Sequence, residues 1–261
     1  MLPVKFLIKR GISFAGISVL MLSLAPVTPA QGPARSPTET VREYYKAMRE
    51  RRFREAFALS IYKPAIEPLK PQEFEDLRPD FDKVSAAIPE RVNLTGETIS
   101  GDLATVFVKV KEGDNPQQAE PVSLIRLDGT WIIGDKENQQ IVKKAGKQFF
   151  FNARIDTHHD EVQAMLTRIS LAQLVYSQQH NGMFADLATL ITAGLLPKDL
   201  EGTDSTGYRF HVNVASGGKT WSAAAEPAKY GRTGRLSFFL DPSGVRSNDR
   251  GGKPLGPFPK N

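Results

Sequence analysis

VSLIRLDGTWII, Val122 to Ile133, sets two apolar runs on either side of Asp128-Gly129. Asp-Gly in that position is a strong short-range hairpin signal, because a tight two-residue turn needs left-handed backbone that glycine and aspartate adopt readily. Two antiparallel strands are therefore expected, 122–127 and 130–133. Upstream, Ala104, Val106, Val108 and Val110 alternate with polar or exposed neighbours, the period of a half-buried strand. Val92 and Leu94 begin another strand. Ser100-Gly101-Asp102 and Glu112 to Pro116 supply turns. From Arg91 onward the pattern predicts a curled antiparallel sheet of about four strands.

Before Arg91 the period is helical. Val41, Tyr44, Tyr45, Met48, Phe53, Ala56, Phe57 and Leu59 recur at spacings of three and four, with a break near Arg51-Arg52. Ser36 or Thr38 can cap the start, and Glu39 favours the first turn. Pro64, Pro68, Pro71 and Pro79 argue against long regular structure from Lys63 to Pro79, leaving a short helix around Phe74–Leu77. Helices first and strands afterwards make an α+β fold.

The stretch TETVREYYKAMRERRFREAFALS, followed by ISGDLATVFVKV and PVSLIRLDGTWII, resembles a nuclear-transport-factor-2-like domain of the small exported bacterial type. Tyr45, Ala47, Phe53, Ala56-Phe57, Gly101-Asp102-Leu103-Ala104 and Asp128-Gly129-Thr130-Trp131 carry the likeness, over roughly residues 36–137. It implies a cone-shaped helix-plus-curved-sheet domain. Members of that superfamily are isomerases, cyclases or non-catalytic binding modules, and the enzymes place an Asp or His inside the cone. All four histidines here, His158, His159, His180 and His211, fall outside the matched segment.

Further along, Val162, Met165, Leu166, Ile169, Ala172, Gln173 and Tyr176 form a helical stripe, widened by Leu174 and Val175. Asp160-Glu161 suits the helix start, and His180-Asn181-Gly182 its end. After a short apolar segment, Leu187–Leu196, the runs 208–214, 221–225 and 235–240 read as strands, with Asp241-Pro242-Ser243-Gly244 as a tight turn. The order ISLAQLVYSQQHNGMFADLATLI, GLLP, STGYRFHV, WSAAAEP and RLSFFLDPSGVRSND resembles the globular head of type IV pilins and type II secretion pseudopilins, over roughly residues 153–250. Ala172, Tyr176, Gly182, Phe184 and Leu187 fit it. The long apolar assembly helix of a filament subunit does not precede this segment: the fifth residue after Gly11 is Gly16 rather than Glu, and Pro26 interrupts the apolar run.

The expected organisation is a signal peptide at 1–30, a first domain at 31–137, a linker or helix at 138–152, a pilin-like long helix packed on an antiparallel sheet at 153–250, and an extended or mobile tail at 251–261. Lys5, Lys9 and Arg10 precede an apolar stretch, Gly11–Ala25, and a small residue, Ala30, before Gln31. That is the grammar of a secretory signal. An uncleaved inner-membrane anchor at 11–25 is the alternative. The net charge of +5 falls to +2 without those three cations, and residues 31–150 carry 19 basic and 19 acidic side chains, so a nucleic-acid surface is not expected. The 261 residues include no cysteine, which excludes disulfides, thiolate metal sites and a cysteine nucleophile.

Candidate site residues are few. Tyr44, Tyr45 and Trp131 fit the wall of a ligand pocket, but aromatic side chains at such positions are more often core. Glu43 and Asp102 are the carboxylates to watch, since a general base there needs burial and a raised pKa. His158-His159-Asp160 reads as a solvated helix start, because neighbours on a helix point about 100 degrees apart and rarely share an ion. Asp241, Ser243, Asn248 and Asp249 offer oxygen ligands but read as turn formers. Ser60, Ser170 and Ser177 lack a nucleophile's glycine context, and Asn93-Leu94-Thr95 matches a glycosylation triplet. Lys143, Lys144 and Lys147 beside Phe149-Phe150-Phe151 suit either an anionic membrane surface or a packed aromatic patch with a solvated basic face. No cofactor and no metal are expected. The expected partner is a protein or a small apolar ligand, with pilus or secretion components as a further option.

Overall fold

A computed structural model of the chain describes residues 35–89, 92–109, 119–203 and 206–256. The N-terminal basic and apolar segment with its expected cleavage point, Val110, and the turn at 112–116 lie outside them. The fold is α+β with two four-stranded antiparallel sheets. Internal packing divides the chain into two units, with the division at Phe149/Phe150.

In the first unit, α1 (Pro37–Arg49) starts at Ser36. The Ser36 hydroxyl accepts the Glu39 N–H, the Glu39 carboxylate accepts the Ser36 N–H, and Pro37 fills the first helical position, where a missing N–H costs nothing. The helix stops at the expected break. Arg51 adopts a φ of 58° there, and the Arg52 N–H turns back to the Ala47 carbonyl. Two short helices follow, α2 (Phe53–Ala58) and α3 (Lys63–Ile66).

The proline-rich stretch corrects the expectation of irregular chain: α4 runs from Pro71 to Ala86 with Pro79 inside it. Pro71 sits at a helix start, where proline is tolerated. Pro79 is exposed, so water can replace the hydrogen bond it removes, while Phe74, Leu77 and Phe81 are buried on the opposite side. Core packing outweighs one lost main-chain bond.

The first sheet is a meander of β1 (Asn93–Ser100), β2 (Leu103–Lys109), β3 (Ala119–Leu127) and β4 (Thr130–Ile133) in that spatial order. Gly101 at φ 59° closes the first hairpin. Asp128 and Gly129, at φ 47° and 77°, form the two-residue turn that the sequence predicts. The inner face carries Ala104, Val106, Val108, Val122, Leu124 and Trp131, packed with Val41 of α1. Glu97 of β1 accepts the N–H and hydroxyl of Thr38, fastening the sheet to the open N–H groups of α1. Next comes α5 (Lys136–Ala145), capped by Asp135. Lys143 and Lys144 are exposed, whereas Lys147 pairs with Glu73 of α4 at 3.3 Å, so that lysine is not simply solvated.

The long helix α6 (Phe149–Gln179) begins about three turns earlier than its sequence stripe indicates. Its end is as expected: Asn181 and Gly182 take φ of 55° and 74°, and the Gly182 N–H caps the Ser177 carbonyl. After α7 (Leu187–Thr192), the second sheet runs β5 (Tyr208–Val214), β6 (Trp221–Pro227), β7 (Leu236–Asp241) and β8 (Gly244–Asp249), again in sequence order. Val162, Leu166 and Ile169 of α6 pack on Tyr208, Phe210, Ala223, Ala225, Phe238 and Leu240 of the sheet. The alanines on β6 keep the sheet surface low, so the helix can approach. Fully burying each large side chain here contributes about 1.5–3 kcal/mol.

The first part of the segment expected as an extended or mobile tail packs on the second sheet. On the far face of this sheet the Ser237 hydroxyl donates to the Lys253 carbonyl at 2.7 Å, and Gly256 lies so close to the Phe239 ring that no side chain fits there. Among the described residues no helix is long and apolar enough to cross a membrane.

Candidate functional site

Of the three aromatic candidates, Tyr44 is 8% exposed and Trp131 5%. Tyr45 meets Tyr44 edge-on at 5.7 Å between ring centres and packs on the same valine-rich cluster as Trp131. The structure thus brings them into one neighbourhood, where they fill space. Burial pushes the Tyr45 phenol up to about 12, and raises that of Tyr44 as well. The guanidinium of Arg126 lies over the Trp131 ring at 4.3 Å.

The two carboxylates to watch lack a general base's surroundings. Glu43 accepts a 3.0 Å hydrogen bond from Arg52, which holds its pKa below the usual carboxylate range, the direction opposite to that of a base poised near neutrality. Asp102 is exposed in the β1–β2 turn, and its carbonyl accepts the Arg126 N–H. Ser60 donates to the Phe57 carbonyl and Ser177 to the Leu174 carbonyl, as ordinary helix-end and back-bonded serines do.

His158 and His159 are not at a helix start, because α6 begins at Phe149. Both fasten the strand-connecting segment 233–236 to the helix. His158 Nδ1 donates to the Thr233 carbonyl at 2.7 Å, while His159 Nε2 accepts the main-chain N–H groups of Arg235 and Leu236 at 3.3 Å. His159 lies edge-on to Tyr208 and Phe238. Desolvation lowers its pKa, with Arg235 and His158 adding to that and Asp156 and Asp160 opposing it. His211 differs: its Nε2 donates to buried Glu226 at 2.8 Å, and that bond raises its pKa.

A pH prediction follows from the His159 geometry. A histidine whose folded pKa lies below the unfolded value of about 6.5 contributes its stability fully above that pH. The contribution is lost as pH falls from there through the folded value. Protonated Nε2 can no longer accept the two N–H groups, so the amides of Arg235 and Leu236 should lose hydrogen-exchange protection between pH 7 and pH 5, after correction for intrinsic exchange. In His159→Phe they should be poorly protected at both. Unchanged protection across that range in the native protein would refute this. His211 acts in the other direction, its contribution being lost as pH rises through its raised value.

The C-terminal acids do not converge. Asp241 accepts the N–H and hydroxyl of Ser243 at one end of the β7–β8 hairpin, and Asp249 accepts the Tyr230 hydroxyl and the Gly251 N–H at the other. Among the described residues no group of three or more His, Asp or Glu side chains is placed to hold a metal ion.

A cleft that the sequence did not disclose lies between the start of α2 and α4. It is a solvent-open groove of about 340 Å³ lined by Arg51, Arg52, Arg54 and Arg78, with Glu55, Glu75 and Phe74 among its walls. Arg52 is bonded to Glu43, Glu50 and Glu55. Arg78 makes two bonds to Glu75, at 2.6 and 2.7 Å. Arg54 donates to the Ile66 and Leu69 carbonyls and lies 4.3 Å from the centre of the Phe74 ring. The run RRFR, Arg51–Arg54, was the only trace of it in the sequence, and it reads there as a helix break.

Comparison of the chain with protein-family models, with curated proteins and with solved structures gave no significant match.

Proposed function

We propose that the chain is an exported, non-enzymatic binding or scaffolding protein of a bacterial envelope. In this reading a nuclear-transport-factor-2-like domain stands in front of a pilin-like head that lacks the assembly helix. The observation that carries it is the pair of layouts: helices followed by a four-strand meander in the first unit, and one long helix on a four-strand meander in the second. One further fact weighs against catalysis in the cone: Arg52 holds the Glu43 carboxylate ionised.

An accessory subunit docking on a pilus or secretion assembly is the second reading. It is favoured by Leu171, Leu174 and Val175, which form an exposed apolar stripe on α6, 58%, 53% and 38% accessible. Mass spectrometry of the mature N-terminus, with fractionation of the native cell, tests the first reading. A start at Gln31 in the soluble envelope or medium fraction is expected. A retained apolar segment in the membrane fraction, or a start at Ile12, would replace the free binding protein with a tethered one. Co-purification with pilus or secretion components would favour the second reading.

A further inference from the structure

We propose that residues 250–256 form a strap that the His211–Glu226 pair keeps closed over the outer face of the second sheet, and that loss of the imidazolium proton releases it. The inference concerns the second unit alone and does not depend on the binding role proposed above.

Strand alternation decides which side chains meet. Phe210, Ala223, Ala225 and Phe238 face α6. His211 of β5, Ala224 and Glu226 of β6, and Ser237 and Phe239 of β7 therefore face the other way. A bare sheet face would expose these side chains, yet Ala224, Glu226, Ser237 and Phe239 are all buried. The strap covers two of them directly. Its Lys253 carbonyl accepts the Ser237 hydroxyl at 2.7 Å, and Gly256 lies against the Phe239 ring. Ala224 pairs with Phe239 in the β6–β7 register, so Glu226, two residues further along β6, stands beside Ser237.

Glu226 is where this cover is electrically incomplete. Its Oε1 accepts a 2.8 Å bond from His211 Nε2, while Oε2 is buried and has no hydrogen-bond partner among the described residues. Arg209 stands opposite Glu226 in the β5–β6 register, but it is exposed and does not reach that oxygen. The charged groups of β8 and the strap are also exposed: Arg246 lies over the Phe239 ring and 3.5 Å from Asp241, Asp249 is bonded to Tyr230 and Gly251, and Arg250 and Lys253 face solvent. A carboxylate held away from water is costly unless it is paired. The cation that pairs with Glu226 is His211. Once the imidazole is neutral it can still donate to Oε1, but the buried charge is no longer balanced. Opening a short surface segment costs less than opening a sheet, and it lets water reach Oε2.

The bond to Glu226 raises the His211 pKa, against desolvation and Arg209. The pair therefore contributes fully below the unfolded value of about 6.5, and its contribution is lost as pH rises through the folded value. The strap's other titratable tie does not switch in that window. Bonds from the Gly251 N–H and the Tyr230 hydroxyl lower the Asp249 pKa, and the bond to Asp249 raises that of Tyr230. His159 shifts downward, away from it.

The test is NMR of the full chain titrated from pH 6 to pH 9. Seated on the Phe239 ring, the Gly256 α-protons should be ring-current shifted at pH 6. They should move to their random-coil positions as pH rises, with the midpoint of the His211 ring protons. The methyl signals of Leu166 and Ile169 should stay in place, which separates strap release from unfolding. In Glu226→Gln, with no buried charge to balance, Gly256 should keep its shifted signal at both ends of the titration. In His211→Gln it should lack that shift already at pH 6. A Gly256 signal that stays put while His211 titrates, or one that moves equally in Glu226→Gln, would overturn the proposal. Neither result bears on where the mature chain starts or which cell fraction holds it.

Discussion

Phe81→Ala is expected to destabilise the first unit by about 3–5 kcal/mol, the usual cost of truncating a buried phenylalanine. The ring is 2% exposed and lies 5.6, 5.0 and 5.7 Å from the ring centres of Phe53, Phe57 and Phe74. Removing it strips packing from three aromatic neighbours at once, and the helices α2 and α4 that carry them cannot both close the gap. Two further effects follow from position. Phe81 stands two residues after Pro79, so it is the anchor that lets α4 continue past a residue that breaks its hydrogen-bond ladder. Phe74 is the ring under Arg54, so loosening it also loosens the cleft wall. The chain has two tryptophans, and Trp131 alone belongs to the first sheet. In a Trp221→Phe background, urea unfolding followed by fluorescence reports the first unit. A loss below 1 kcal/mol would show that the aromatic cluster is not the centre of that core. Amide exchange should also show the helix fraying after Pro79.

The hairpins could be read from the sequence because their determinants are local. Asp128-Gly129 and Ser100-Gly101-Asp102 act through the dihedral angles of their own residues, which nothing distant needs to supply. For the same reason Asn181-Gly182 marked the end of α6 correctly. The misreadings all involve non-local energy. Four prolines between Lys63 and Pro79 argue for irregular chain by propensity, but Phe74, Leu77 and Phe81 bury enough apolar surface to outweigh that. The early start of α6 was hidden because Phe149 to Asp156 mixes aromatic, basic and acidic residues without a clean stripe. A Gly- and Pro-rich tail reads as extended or mobile, and nothing local in it points to Ser237 and Phe239, which Lys253 and Gly256 meet. The arginine cleft was invisible for a related reason. Arg54 and Arg78 are more than twenty residues apart, and the helix that brings them together is the one that the prolines concealed. The candidate aromatic residues were legible as a neighbourhood, since all three lie on elements read correctly. Their burial as filler depends on the sheet's curvature and neighbours, which one sequence does not specify.

Gln173→Leu should cost the second unit about 2–6 kcal/mol although it conserves volume and adds apolar surface. Gln173 falls within the apolar stripe of α6, where its polarity looks like an irregularity, and it is fully buried. Its side-chain amide acts as a fragment of main chain: Nε2 donates to the Ala185 carbonyl at 2.6 Å, and Oε1 accepts the Ala185 N–H at 3.0 Å. Ala185 is itself buried, so leucine would strand one donor and one acceptor away from water, at about 1–3 kcal/mol each. The gain from an apolar side chain cannot offset this, because the site is already dry and the apolar area is buried with or without the amide. The bond also has a structural task. Residues 183–185 connect the end of α6 to the Asp186 cap of α7, and along this stretch Phe184 N–H is held only by the Gly218 carbonyl 2.8 Å away. Without Gln173 the connection loses its tie to the helix interior, and Leu190 of α7, fully buried, loses its fixed approach to the core. Amide exchange separates this account from simple repacking. The Ala185 amide should lose protection far more than those of Ile169 and Leu166, one and two turns before Gln173 on α6. If instead the variant is as stable as the parent, with Ala185 still protected, then other groups satisfy that peptide and the glutamine is dispensable.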